Sequence, residues 1–484
     1  MYYFGRTTRA LFTALFALAF ASGASALQKL NPIQRAPGDQ DVAFEVYLPL
    51  QNTDALKQLL VSQQTPGSNS YHKWLTPQDF QKNFGPSQKQ IDQITSVLQG
   101  YGFTVTKAHS QGVHVVGKIS SVESTFSASL WTAKTLSGAE RLTTSEPVTL
   151  PSALSAAGAQ ILHFTPIIRK QVNSQNLGKL PDSRYSPFGP YWFDDLKQAY
   201  EFPSYEALTG QGRTIAIVMS SDFQDSDIAA YFAHEKLTPP TIVRRRVLRG
   251  ATFDAAKNPG SLEVELDLEQ AGGMAPGAQL MLYNIPDLGD DSILGAYLDI
   301  VEENRADIVS SSFGGPEGLY TAAYNGGVDK TGVLRVFNQL FQQGNAQGIT
   351  FVASSGDSGA LGLPPLAYFT TPPPTPPNPP VVVGNFELGI ETPASDPNVT
   401  AVGGTAVLKT TSNAENRDSA YLRESAFADP MLPEDPYGTG NLVAGGYFGP
   451  GGGKSVVFQK PAYQRLVKTG SKMRTVPDIS LLCG

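Results

Sequence analysis

From Thr214 onward, short apolar runs alternate with longer amphipathic stretches, and this rhythm constrains the fold more than any other feature of the chain. Thr214-Ile215-Ala216-Ile217-Val218, Gln279-Leu280-Met281-Leu282-Tyr283, Asp307-Ile308-Val309-Ser310-Ser311 and Ile349-Thr350-Phe351-Val352-Ala353 read as buried strands. Ile228 to His234, Ile293 to Glu303 and Leu334 to Gln343 read as the helices between them. Strands joined through helices predict a parallel sheet with helices on both faces, whose reactive groups collect at the carboxyl ends of the strands. Ser311-Ser312-Phe313-Gly314 and Asp357 both fall at such ends.

The region before it has another pattern. Val42 to Leu48, Phe103 to Thr106 and Val113 to Gly117 read as strands, and Asp54 to Ser62 and Gln88 to Gln99 as helices. Helices separated by pairs of strands favour an antiparallel sheet covered on one face, an α+β unit of the ferredoxin-like kind. Gln171 to Pro190 is polar and punctuated by Pro and Gly, as an exposed linker is, and the domain boundary is placed there. Pro364 to Pro380 is read as a loop or polyproline II excursion.

The ends and the composition narrow the class. Arg6 and Arg9, the apolar Leu11 to Phe20 and the small residues Ala24-Ser25-Ala26 have the order of a secretory signal, with cleavage expected after Ala26. The 484 residues are 41% hydrophobic and 16% charged, the balance of a folded globular protein of more than one domain. A net charge of −7 without a long Lys or Arg block argues against nucleic acid as a partner. No other segment is apolar enough for a membrane span, so no membrane association is expected once the signal is removed. Cys483 is the single cysteine, which excludes an intramolecular disulfide.

Two segments concentrate the chemistry. In Ser261-Leu262-Glu263-Val264-Glu265-Leu266-Asp267-Leu268-Glu269 the acids alternate strictly with apolar residues, which is the pattern of a strand with its carboxylates in water. On a helix, Glu263 and Asp267 would instead share a face and couple as acid and base, with Glu265 and Glu269 as the opposite pair. Gly272-Gly273 and Ala275-Pro276-Gly277 terminate a segment that could be such a helix; spacing does not decide which pair works. The second segment, Ser355-Gly356-Asp357-Ser358-Gly359, sets a carboxyl where a buried strand gives way to a glycine turn. A chymotrypsin-like reading of Gly356-Asp357-Ser358-Gly359 fails because only His234 follows the linker and the strand-helix rhythm is not a β-barrel; a Ser-His-Asp subtilisin also lacks its histidine.

Taken in order, Glu263-Val264-Glu265-Leu266-Asp267, Ala275-Pro276-Gly277-Ala278, Ser310-Ser311-Ser312-Phe313-Gly314, Ser355-Gly356-Asp357-Ser358-Gly359 and Val402-Gly403-Gly404-Thr405 resemble the landmarks of the sedolisin or kumamolisin-like serine-carboxyl peptidases, the S53 peptidase family. Tyr71-His72-Lys73-Trp74-Leu75-Thr76-Pro77 and Phe80 are similar to the family's activation prodomain. The resemblance implies a subtilisin-like α/β catalytic domain over 191–484, a prodomain over 27–170 acting as intramolecular chaperone and inhibitor, and a maturation site within 171–190. It implies a secreted, acid-acting, monomeric endopeptidase of polypeptides. Glu263 would be the general base, Asp267 the carboxylate behind it, Asp357 the oxyanion-hole donor, and Ser311, Ser312, Phe313 and Gly314 the substrate-binding strand. Acid is where a carboxylate base functions and where Asp357 keeps the proton it must donate.

Two departures accompany the resemblance. Val218 and Phe313 stand where some relatives extend the carboxylate pair through a Glu and a Trp. The family's Gly-Thr-Ser nucleophile segment and calcium loop follow a Val-Pro-Asp motif, here Val476-Pro477-Asp478, which lies just before Gly484. The expectations are therefore a sheet incomplete at its C-terminal end, a nucleophilic serine and calcium ligands beyond the chain, no metal site within it, and no turnover as written; the alternative is a noncatalytic peptide-binding decoy.

Overall fold

The computed structural model describes residues 32–134, 140–144, 148–164, 171–172, 191–248, 262–375, 378–413 and 418–483. The signal-like segment and residues 173–190 of the linker lie outside the described residues.

The N-terminal unit is α+β with antiparallel sheets, and its strands are shared between two of them. One contains β1 (Pro32–Arg35), β5 (Leu130–Lys134) and β6 (Glu140–Thr144) in the order β1-β5-β6. The other contains β2 (Asp41–Tyr47), β3 (Thr104–His109) and β4 (Gly112–Lys118) in the order β2-β4-β3. The helices α1 (Thr53–Gln64), α2 (Pro77–Phe84), α3 (Gln88–Gly100) and α4 (Ile119–Phe126) accompany them, together with a single turn at Ser152–Ala156. Thr76 accepts from Asp79 N at 3.1 Å to cap α2, and Ser87 accepts from Gln90 N at 3.3 Å to cap α3. Phe44 meets Phe103, Phe126 and Phe164 edge-on, with ring centroids 5.3 to 6.0 Å apart, at the centre of this unit's core.

The C-terminal unit is built on an eight-stranded sheet. Its strands are β8 (Thr214–Met219), β9 (Thr241–Arg246), β10 (Gln279–Asn284), β11 (Ile308–Ser311), β13 (Thr350–Ser354), β15 (Thr400–Asn413), β16 (Asp418–Ser425) and β17 (Ile479–Leu482). The order is β16-β15-β13-β11-β8-β10-β9, with β17 also paired to β15. All pairings are parallel except that of β16, which returns antiparallel along β15. Between the strands run α5 (Phe193–Ala199), α6 (Asp225–Glu235), α7 (Leu262–Met274), α8 (Asp290–Glu303) and α9 (Gly332–Ala346). This is the α/β architecture that the strand-helix rhythm predicts. Tyr297 of α8 meets Phe337, Phe341 and Phe351 edge-on at 5.1 to 6.0 Å and joins helices and sheet in one core.

One expectation is corrected. The proline-rich stretch 364–380 holds a short helix, Leu366–Thr370, because a run free of proline follows Pro365, whose fixed φ suits a helix start. Tyr368 anchors it, fully buried, with its hydroxyl donating to Asp435.

The two units are docked through buried polar contacts. Arg141 of β6 donates to Asp287 at 2.8 Å and to Asp291 at 2.5 Å, and His163 lies 3.4 Å from Asp291. Gln111 donates to Gln343 at 2.6 Å, Gln63 to the carbonyl of Ala346 at 2.9 Å, and Ser110 to Glu302. Trp74 packs under Gly348, whose φ of +91° carries the chain past the indole.

Candidate active site

The acid-rich segment is helical. As α7, it turns Val264, Leu268 and Gly272 inward at successive intervals of four and leaves Leu262 and Leu266 46% and 37% exposed. The apolar alternation that imitates a strand is thus divided between core and solvent. Close packing makes this possible: a Cβ on Gly272 would lie 2.7 Å from Phe232, and one on Gly273 2.0 Å from Phe193. Glu263 and Glu265 also stand in the first turn, where the partial positive charge of the helix end favours carboxylates.

The helix sorts the four acids by burial and contacts. Glu263 is buried, and Asp267, one turn on, accepts a hydrogen bond from Ser312 Oγ at 2.6 Å. Burial pushes the Asp267 carboxyl up to about 7 against the opposing hydrogen bond from Ser312. Glu265 and Glu269 instead face α6, where burial first and then the charges of Glu265, Asp227 and Glu235 push Glu269 up to about 8.

Ser312 joins β11 to a short strand, β12 (Phe313–Pro316). Ser311 turns inward, its hydroxyl 2.7 Å from that of Tyr297, and Phe313 is fully buried. The side chains of these two substrate-strand candidates therefore belong to the core, and only their backbone can meet a peptide. One edge of β12 pairs antiparallel with β7 (Gln171–Val172), Val172 opposite Phe313 and Gln171 opposite Gly314. The other pairs with β14 (Glu391–Thr392), Thr392 opposite Gly315 and Glu391 opposite Pro316.

Asp357 follows β13, whose Ala353 is in register with Ser311 of β11, so the Asp357 turn and Ser312 leave from adjacent strand ends. Gly356 adopts φ +106°, which a side chain would strain. The turn is held by Gly449 and Gly451, whose N–H groups donate to the carbonyls of Asp357 and Gly356 at 2.8 and 2.6 Å. Burial pushes the Asp357 carboxyl up to about 6, so in mild acid it is a proton donor.

Sequence reasoning missed two contributors. Glu391 lies between β12 and the Asp357 turn: a Cβ on Gly314 would fall 1.8 Å from its Oε2, and one on Gly356 2.5 Å from its Cδ. An isolated acid in the apolar run Ile390-Glu391-Thr392-Pro393 was the only signal for it. The second is the run Gly449-Pro450-Gly451-Gly452-Gly453, whose close approach is legible as a glycine cluster but whose partner is not. Cys483 follows β17 beside Gly404, and burial followed by the charge of Asp357 raises its thiol, the reverse of what a reactive thiolate needs. His234 stacks on Trp192 with centroids 4.9 Å apart and faces Glu235. Among the described residues no three His, Cys, Asp or Glu side chains converge as cation ligands would. No helix among them is long and apolar enough to cross a membrane.

A buried acid pair on a helix, a carboxyl at a glycine turn and a short strand that takes up the extended segment 171–172, all beside a parallel α/β sheet, are the features of a subtilase-type domain preceded by its own α+β unit. Comparison with known proteins agrees: residues 28–164 match the pro-kumamolisin activation domain and residues 251–433 the subtilase family. The chain is 26% identical over 483 residues to kumamolisin of Bacillus sp. (strain MN-32), covering 95% of this chain and 77% of that protein. It is 24% identical over 471 residues to sedolisin of Pseudomonas sp. (strain 101), covering 93% and 71%. With xanthomonalisin of Xanthomonas sp. (strain T-22) it shares 27% over 481 residues, covering 91% of this chain and 53% of the relative. Along most of its length the chain is thus similar to sedolisin-like serine-carboxyl peptidase precursors, an activation domain followed by a subtilase-type domain. Among solved structures, Pseudomonas sedolisin complexed with two molecules of pseudo-iodotyrostatin matches 62% of this chain and 72% of that one, with 24% identity and a TM-score of 0.45.

Proposed function

We propose that the chain is the precursor of a secreted, acid-acting serine-type endopeptidase. In this reading Glu263 is the general base, Asp267 the carboxylate behind it, and Asp357 the donor to the oxyanion. The backbone of Phe313 and Gly314 holds an extended polypeptide, residues 27–170 assist folding and block the cleft, and the maturation site lies in 171–190. The observation that carries the reading is the buried pair Glu263 and Asp267 on one face of α7, with Asp267 bonded to the residue that opens the peptide-pairing strand.

The chemistry follows from protonation. A carboxylate base stays ionised into acid, where an imidazole would already be protonated and useless as a base. Asp357, with its carboxyl near 6, holds its proton at pH 3–5 and can donate it to charge developing on a carbonyl oxygen. The serine that such a base would activate is not assigned to any residue of this sequence.

A specific observation favours a second reading, peptide binding without turnover: the hydroxyl bonded to Asp267 is that of Ser312, fixed between two core-facing neighbours. The test is incubation of purified residues 27–484 with denatured protein at roughly pH 3–5, near the carboxylate range, scoring binding and cleavage separately. Cleavage abolished by Glu263→Gln and by Asp357→Asn supports the carboxyl roles and places a nucleophile within residues 27–484, against the expectation of no turnover. Saturable binding with no cleavage supports the binder. Cleavage indifferent to both substitutions overturns the assignment of roles.

A further inference from the structure

We propose that Ser312 is a positioning residue of this site, whose hydroxyl orients the Asp267 carboxyl and couples it to a peptide strand seated on β12. The proposal rests on reading Glu263 and Asp267 as a working acid pair.

A single hydrogen bond anchors the Asp267 carboxyl among the described residues. Ser312 Oγ donates to Oδ1 at 2.6 Å, whereas Oδ2 is closed off from solvent without a hydrogen-bond partner. The torsion that turns a carboxyl group is soft, so a single short hydrogen bond decides where its second oxygen points. Phe313, next to Ser312, brings a side chain with no polar atom. The hydroxyl is itself held. Ser311 before it is tied to Tyr297, and Phe313 after it is locked in the core, so Ser312 moves only as β12 moves.

The strand that begins just after this hydroxyl is also the one that pairs with extended chain. Val172 lies opposite Phe313, the residue next to Ser312, so the peptide ladder begins one residue from the anchor of the buried acid. Seating or withdrawing a strand there shifts the backbone that aims Ser312 Oγ, and Asp267 follows. A serine on a rigid core strand without an open edge would hold an acid but report nothing.

The charged surroundings leave Ser312 as the hydrogen-bonding partner that moves Asp267. On its own helix Asp267 shares a face with Glu263. From α6, Asp227 and Glu235 act on Glu269, Glu235 also on Tyr231, and His234 faces Glu235. From α5, Asp195 accepts from Ser419 at 2.7 Å and Lys197 donates to the carbonyl of Pro203 at 3.1 Å. From β10, Tyr283 donates to Glu303 at 3.0 Å, and β8 brings no titratable side chain.

The test is a carboxyl-carbon NMR titration of Asp267 in the full chain, with buried Asp396 as internal control. Ser312→Ala is expected to raise the Asp267 midpoint by roughly half to one unit, because a hydrogen bond to the charged form is lost. Ser312→Thr, which keeps the hydroxyl, is expected to restore it, and Asp396 is expected to stay put. Val172→Pro, which breaks the ladder, is expected to shift the Asp267 midpoint when Ser312 is present and to have no further effect in Ser312→Ala. An unmoved Asp267 in Ser312→Ala, an equal shift of Asp396, or a Val172→Pro effect that survives without the hydroxyl overturns the proposal. Glu263→Gln separates it from the underlying reading. If that substitution leaves Asp267 unmoved while Ser312→Ala still shifts it, the acid pair fails and the Ser312 contact stands.

Discussion

Several carboxyl groups of this protein bind protons more tightly folded than unfolded. Burial lifts Asp357 and Asp396 from 3.8 to about 6 and Asp267 to about 7, and burial with neighbouring acids lifts Glu269 from 4.5 to about 8. The stability tied to a raised group is complete below its unfolded value and is lost as pH rises through the folded one, here between about pH 4 and 8. Asp357→Asn removes one such proton-linked contribution. Its melting temperature should therefore fall less than that of the parent between pH 4.5 and pH 7.5, by scanning calorimetry; parallel curves would contradict the burial of this acid. Glu269→Gln should stabilise the protein at pH 7.5 by about 1 kcal/mol, a figure reduced for the solvent that reaches the carboxylate, and should do nothing at pH 4. Chemical denaturation at the two pH values measures both. At this scale the sequence marked Glu263, Asp267 and Asp357 by residue type and setting. It missed Glu391, because its position between Gly314 and Gly356 comes from a strand distant in sequence.

Helix α7 shows how an element overrides its own pattern. Strict alternation favours a strand, and the helical form leaves Leu262 and Leu266 partly in water. What decides is packing: Val264 and Leu268 enter the main core, and Gly272 and Gly273 let the helix approach Phe232 and Phe193. Gly273→Ala tests this with opposing effects. Alanine gains about 1 kcal/mol of helix propensity over glycine, yet its Cβ would sit 2.0 Å from Phe193, itself buried and unable to swing clear. Overpacking costs about 1–3 kcal/mol, so net destabilisation is expected in urea unfolding; a gain would show that the helix does not need this approach. The long helices α3, α8 and α9 were legible because several turns of periodicity accumulate in them. The eight-residue α2 and α4 give two turns each, and periodicity alone does not reveal them.

For the whole molecule, the docking of the two units runs against the pH preference of the buried acids. The Arg141 guanidinium holds Asp287 below the usual carboxylate range, although burial alone would raise it. A depressed folded value contributes stability that is present above the unfolded 3.8 and is lost as pH falls through the folded value. Strong acid thus removes the Asp287 contribution to the joint, whereas Asp291, raised by burial despite Arg141, contributes with the opposite sign, and a rise towards neutrality weakens the C-terminal unit. Arg141→Ala leaves Asp287 and Asp291 without their buried counter-charge, a loss of about 3–5 kcal/mol for pairs of this kind. Limited proteolysis at pH 6 should then digest the N-terminal unit markedly faster than in the parent, and an unchanged rate would mean that the other contacts across the joint suffice.

The strand-helix rhythm after Thr214 determined the parallel sheet, and the order of the acidic and glycine segments carried the resemblance to serine-carboxyl peptidases, because periodicity and local turn chemistry are properties of neighbouring residues. Which acid pair is buried, which hydroxyl holds Asp267, and how Glu391 and the glycines after Gly449 enclose the Asp357 turn were decided only by the tertiary structure. Each depends on the approach of segments separated by tens of residues, and packing energy, not local preference, selects those approaches.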